Sequence, residues 1–176
     1  MNHTFITESA GVFRQQKSLS ERALEQVDDA HFFAAFDNEA NSLAVLVKHM
    51  AGNLRSRWTD FLETDGEKPD RNRDGEFIIT DADTRASLMN AWEAGWQTCL
   101  SSIESLTESD LERTVRIRGE EHRVTGAIQR ALAHAAQHAG QIIFLAKHYA
   151  AEKWTTLSIP RGQSVSFTSA SKARRM

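Results

Sequence analysis

The chain has 176 residues, 40% of them apolar and 8% aromatic, which suits one globular domain with a sizeable core and excludes a disordered chain. Lys and Arg number 21 against 24 Asp and Glu, a net charge of −3 with no electrostatic footprint for nucleic acid or an anionic membrane. One cysteine excludes an internal disulfide framework, and no apolar run approaches the roughly 20 residues of a bilayer span. With no basic flank and apolar stretch at Met1-Asn2-His3-Thr4, the expectation is a soluble, cytoplasmic protein.

The two prolines, Pro69 and Pro160, lie outside the periodic segments, so long helices are permitted. Spacing predicts a first helix over about 5–27, with a stripe of Phe5, Val12, Leu19, Ala23 and Val27. Asp28-Asp29-Ala30 then signals a helix end or turn, and Phe32, Phe33 and Phe36 form an apolar link. A second helix starts between Asn38 and Ser42, among the cap-capable Asp37, Asn38 and Asn41. It runs through Leu43, Leu46, Val47, Met50, Leu54, Trp58 and Phe61 and stops by Asp65-Gly66. A polar loop follows from Glu67 to Glu76, dense with Arg71, Arg73, Asp74 and Glu76. This loop reads as a solvated linker, or as one that locks onto helix ends or a partner.

Phe77-Ile78-Ile79 reads as a short extended piece, and Thr80-Asp81 as the cap of a third helix. That helix carries Leu88, Trp92, Trp96, Cys99, Ile103 and Leu106 as a buried seam, broken by Thr107 to Asp110. Over 114–124, Val115 and Ile117 alternate with Arg116 and Arg118, which suggests a small hairpin turning at Gly119-Glu120. Arg116 and Arg118 face Glu120 and Glu121 as cross-strand charge pairs. Thr125 caps a fourth helix through about Ala150. The expected fold is all-α, a four-helix bundle over residues 1–153 with a strand-like insertion before the last helix. Residues 154–176, ending in the basic Lys172, Arg174 and Arg175, form an irregular arm.

Histidine carries the chemistry. His134 and His138 are four apart in the last helix, so both imidazoles project from one face about a turn apart. Alone the pair is a weak signal, since a separation of four arises readily among seven histidines. His49 strengthens it, because it lies among Leu46, Val47 and Met50 and so points toward the interior or its rim. A buried imidazole needs a partner for each ring nitrogen, and a shared metal supplies one. Three imidazoles and no thiolate leave an open coordination position and admit zinc, nickel or ferrous iron. Gln141 follows His138 by three and Asn53 follows His49 by four, so either amide could line the same cavity. Arg57 extends the line His49, Asn53, Arg57 and could hold an anionic substrate group. A surface position on an amphipathic helix suits it equally. His3, His31, His122 and His148 fall in tails, turns or helix flanks. No Asp or Glu lies within a turn of His134 or His138 to serve as a general base. Cys99 reads as a small hydrophobe, and Trp92 and Trp96 as core or dimer surface.

His49 with His134-Ala135-Ala136-Gln137-His138 resembles the DinB superfamily, damage-inducible four-helix bundles that include thiol S-transferases and YfiT-like hydrolases. One branch is matched through Asn41-Ser42, His49-Met50-Ala51-Gly52-Asn53-Leu54-Arg55-Ser56-Arg57-Trp58 and Asp65-Gly66-Glu67-Lys68. The likeness continues in Arg71-Asn72-Arg73-Asp74-Gly75-Glu76-Phe77, in His138-Ala139-Gly140-Gln141-Ile142 to Lys147, and in Leu157-Ser158-Ile159-Pro160-Arg161-Gly162-Gln163-Ser164. It covers nearly the whole chain. The resemblance implies an up-down-down-up bundle, a divalent metal on His49, His134 and His138, and a homodimer, but no particular reaction.

Two function classes follow. In one, the metal's open position activates a low-molecular-weight thiol against an electrophilic small molecule, or a water for hydrolysis, with Asn53 and Arg57 binding substrate. In the other, the protein is a dimeric metal-binding stress-response protein without turnover. Surplus aromatics at Trp92, Trp96, Phe32, Phe33 and Phe36 suggest the homodimer.

Overall fold

The computed structural model describes residues 2–167, with side chains from Thr4 onward. The His3 side chain and the basic Lys172, Arg174 and Arg175 lie outside the described residues. Helix dominates the described chain: α1 (Asn2–Leu24), α2 (Asp29–Phe33), α3 (Leu43–Trp58), α4 (Arg85–Glu104) and α5 (Val124–Ala150). Among the described residues a single β-hairpin, β1 (Thr114–Ile117) with β2 (Glu120–Arg123), stands between α4 and α5. The four long helices share one core: α3 packs on α4 and α5, and α1 packs on α4 and α5. Residues 154–167 are mostly irregular, with Trp154 and Leu157 half-buried against that core and Thr155 tied to Gln26. Among the described residues no helix is long and apolar enough to cross a membrane.

The seam expected on α4 is buried throughout, from Leu88 through Trp92, Trp96, Cys99 and Ile103 to Leu106. Phe13 meets Trp58 and Trp96 edge-on at ring-centroid distances of 5.9 and 6.3 Å, and Trp92 meets Trp96 at 5.5 Å. Such edge-to-face packing adds about 1 kcal/mol per pair beyond burial. On α1 the buried face differs from the expected stripe. Ile6, Ala10, Phe13, Ala23 and Leu24 point inward, as does Val27 just past the helix, whereas Val12 is exposed. Ser9 and Ser20 are buried on the same face, so small hydroxyl residues complete a stripe that counting apolar residues misplaces.

The helix starts follow local hydrogen bonding. Asp28 caps α2, so the expected turn there is a short helix that buries Phe32. Ser42 accepts from the Val45 amide and starts α3. Helix α4 begins at a capping box between Thr84 and Ser87, not at Thr80-Asp81. Thr80 instead donates to Asp83, closing a turn in which Asp83 also takes Lys48 Nζ at 2.8 Å. Phe77 ends a 3-10 turn over Asp74–Phe77, and the extended backbone begins only at Ile78. Helix α5 starts at Val124 rather than at a Thr125 cap, because the Val124 amide already donates to the Arg113 carbonyl.

The hairpin pairs Val115 with His122 and Ile117 with Glu120. Its turn lies one residue earlier than expected, at Arg118 and Gly119, both with positive φ (58° and 77°). Two such residues suit a two-residue hairpin turn, and glycine meets that demand without a Cβ clash. Asp65 accepts from both turn amides at 2.8 and 2.7 Å, and the Gly66 amide donates to the Arg116 carbonyl at 2.8 Å. Arg116 pairs across the strands with Glu121, but Arg118 turns away to Glu67. The hairpin is thereby fastened beside the end of α3, facing the histidines.

Candidate metal centre

His49 sits mid-way along α3 and is 4% exposed. His134 and His138, one turn apart on α5, are half-buried and meet it edge-on. Nε2 of His134 lies 3.4 Å from Nε2 of His49 and 3.1 Å from Nε2 of His138. One nitrogen of each ring lies within 4.8 Å of the other two, so the three could hold a metal ion.

The outer nitrogens sharpen this. Nδ1 of His49 donates to Oε2 of Glu76 at 2.8 Å, and Nδ1 of His138 donates to Oε1 of Gln141 at 2.7 Å. With its proton held on Nδ1, each neutral ring presents a bare lone pair at Nε2. Two lone pairs then converge on one nitrogen of His134, which offers one proton at most. Hydrogen bonding cannot satisfy all three inner nitrogens; a shared cation can. The donor set fits a divalent metal with a position left open, and its outer partners are of the kind that orient ligating imidazoles.

Charge agrees with geometry. Burial, followed by the neighbouring His138 and His49 and then by Arg71 and Arg57, drives His134 down to a pKa of about 3. Burial and His49 also lower His138, against the bond to Gln141. Both rings are held toward the neutral form that ligates.

No carboxylate lies within a turn of His134 or His138, but Glu76 reaches His49 from elsewhere in the chain. It arrives from a loop 27 residues beyond His49, and its side chain is buried. Arg71 grips the same carboxylate with two bonds, Nε to Oε1 at 2.8 Å and Nη2 to Oε2 at 2.9 Å. Burial alone would raise the Glu76 pKa; the bonds from His49 and Arg71 outweigh it and hold the group below the usual carboxylate range. Gly52, one turn after His49, leaves the room, since a Cβ there would overlap Oε1 of Glu76. Phe77 lays its ring 4.9 Å from that of His49. The charged loop thus locks onto α3 instead of being a solvated linker.

Asn53 and Arg57 line a cleft of about 200 Å³ together with His49 and His134. Arg57 is not a surface side chain: it is 12% exposed and pairs with Glu67 at 3.0 Å. Gln141 serves as the outer partner of His138. Away from the site, His31 bonds Asp28 at its own helix cap, and His148 packs on Phe36. Cys99 is buried, and burial pushes its thiol well above the usual value, as expected for a packing residue. Trp92, Trp96 and Phe32 are buried within the chain, which removes them from any aromatic surplus at the surface.

A family model described as "Protein of unknown function (DUF1572)" matches residues 1–163. The chain belongs to the DUF1572 family. Comparison with curated proteins and with solved structures gave no match. The DUF1572 match spans the three histidines, the Glu76 loop and the hairpin and stops in the arm. It brings no activity with it, so function must be read from the geometry.

Proposed function

We propose that this DUF1572 protein is a DinB-type four-helix bundle holding one divalent ion, zinc, nickel or ferrous iron, on His49, His134 and His138. We further propose that it is a metal-dependent thiol S-transferase acting on electrophilic small molecules. The observation that carries the metal is the convergence of three Nε2 atoms, two of them stripped of protons by Glu76 and Gln141. A divalent ion with an open position supplies acidity, lowering the pKa of a thiol that reaches it. The chain does the rest. Glu76 and Gln141 hold the ligand rings in register, Asn53 and Arg57 bind the incoming molecule, and Trp58 and Phe61 limit water in the cleft.

Thiol transfer is preferred to hydrolysis because no carboxylate among the described residues lines the cleft. Glu76, the one acid at the histidines, is already bound by His49 and Arg71 and is not free to take a proton from water. A thiol needs no such base once its pKa is lowered. The homodimer is proposed on the family resemblance alone, and light scattering at micromolar concentration decides it. A cytoplasmic location is proposed on the single cysteine alone.

Metal analysis of protein purified without an affinity tag is the first test. One equivalent per chain is expected, lost in a His49→Ala, His134→Ala, His138→Ala variant that still gives a helical spectrum. Stoichiometric metal in that variant would sink the assignment. A screen of biological thiols with a chromogenic electrophile tests the transfer, and absence of turnover with every thiol favours a non-catalytic metal-binding stress protein.

A further inference from the structure

The cleft beside the histidines is unusually rich in one residue type. Arg57 from α3, Arg71 and Arg73 from the loop, Arg116 and Arg118 from the hairpin, and Arg130 from α5 all line it. Three carboxylates behind its walls serve four of these. Glu67 meets Arg57, Arg71 and Arg118 at 3.0, 3.4 and 3.0 Å, Glu76 holds Arg71, and Glu121 pairs with Arg116. Arg73 lies over the Phe77 ring, and neither it nor Arg130 meets a carboxylate among the described residues. The lining is therefore positive before any metal is counted.

One atom points to what balances it. Nη1 of Arg57 is buried and has no hydrogen-bond partner among the described residues. A buried guanidinium donor without an acceptor is costly, and acceptors for it are charged oxygens by preference. The rest of the cleft limits what could bring them. Trp58, Phe61 and Ile117 form an apolar wall. A cavity of about 150 Å³ holds a molecule the size of benzene. The cleft's volume of about 200 Å³ thus accepts a short carbon skeleton with one or two acidic groups.

We propose that the cleft seats a small organic dianion, its negative charge held between the guanidinium groups of Arg57, Arg130 and Arg73 and its carbons on Trp58 and Phe61. This rests on the metal reading above only in that the bound molecule would turn its reacting group toward the histidines. A thiol cofactor or an electrophile of this charge class would be selected over neutral analogues of equal size.

Calorimetric titration of the full chain, stripped of metal and desalted, tests the seat itself. The probes are succinate, with two separated carboxylates, and phenylphosphonate in mildly alkaline buffer, with one doubly charged head on a ring; acetate at the same ionic strength is the reference. Binding of either probe roughly tenfold tighter than acetate is expected, and the preferred probe says whether the charges sit apart or together. Arg130→Gln, an exposed side chain without an ion pair among the described residues, should weaken that binding roughly tenfold, and Arg57→Lys at least as much. Arg55→Gln, outside the cleft, should leave it unchanged. Binding no tighter than acetate, or unchanged in both cleft variants, overturns the proposal. Because the stripped protein carries no metal, failure here says nothing against the histidine site.

Discussion

Two of the histidines are held from behind in opposite ways. His138 is oriented by Gln141, three residues on along the same helix, neutral and near solvent. His49 is oriented by Glu76, 27 residues away, buried, charged and itself clamped by Arg71. The first arrangement comes with the helix, since residues three apart share a face wherever α5 forms. The second exists only when the loop folds back onto α3 and Gly52 leaves room for it. Disturbing Glu76 should therefore cost the fold and the metal together, whereas disturbing Gln141 should touch the metal alone.

The largest effect belongs to Glu76→Gln. The amide can still accept from His49 but carries no charge, so buried Arg71 keeps only Glu67, at 3.4 Å. Breaking a buried pair in this way costs about 2–4 kcal/mol, and losing the charged partner of a ligand imidazole weakens metal binding roughly 10–100-fold. Chemical denaturation of metal-free protein reads the first and competition with a chromogenic chelator reads the second. If stability falls while metal affinity holds, Glu76 is a structural anchor and not a partner of the ligand.

Gly52→Ala comes next. The added methyl overlaps Oε1 of Glu76, so the carboxylate must retreat from α3 while its charge and its grip on Arg71 survive. Metal affinity should drop about tenfold with a smaller loss of stability than in Glu76→Gln. A variant indistinguishable from the wild type would mean that the loop holds its carboxylate with slack.

The same contrast explains what the sequence makes legible. The α4 seam and the His134–His138 pair obey the helical period, and the structure keeps both. His49 also follows from its place among Leu46, Val47 and Met50. The buried face of α1 departs from the apolar stripe because it includes Ser9 and Ser20, which a hydrophobic count ignores. Glu76 was out of reach for a different reason: loop closure has no period, and a run of mixed charge looks the same whether solvated or folded inward. One signal was available: the glycine one turn after His49, at a position where helix propensity disfavours it by about 1 kcal/mol.

Acid should strain the two sides of the site unequally. His134 titrates near 3 in the folded chain against 6.5 for a free side chain, so between those values the unfolded state binds the extra proton. Stability of the metal-free protein must then fall as pH drops through 6.5 and go on falling toward 3. Between neutral pH and about pH 5 the contribution is at most about 2 kcal/mol, reduced by the partial exposure of the ring. Denaturation midpoints of wild type and His134→Ala across that range check it, and the variant should show the shallower slope. Equal slopes would mean that His134 is not held neutral by its surroundings.

Gln141→Ala should give the smallest effect. It removes the acceptor at Nδ1 of His138, but that nitrogen is near enough to solvent for water to replace the amide. No charge is stranded, and alanine is the better helix former, so the folded chain should be unharmed or slightly firmer. What is lost is the fixed proton position. Without Gln141 the ring can carry its proton on Nε2 for part of the time, and metal must then select the other tautomer. A tautomer balance of order one costs only a few-fold in affinity. Chelator competition should show that few-fold loss with an unchanged denaturation midpoint, the reverse of the balance expected for Glu76→Gln. A loss as large as that of Glu76→Gln would show that the neutral local partner matters as much as the buried charged one, and the two histidines would then be held alike.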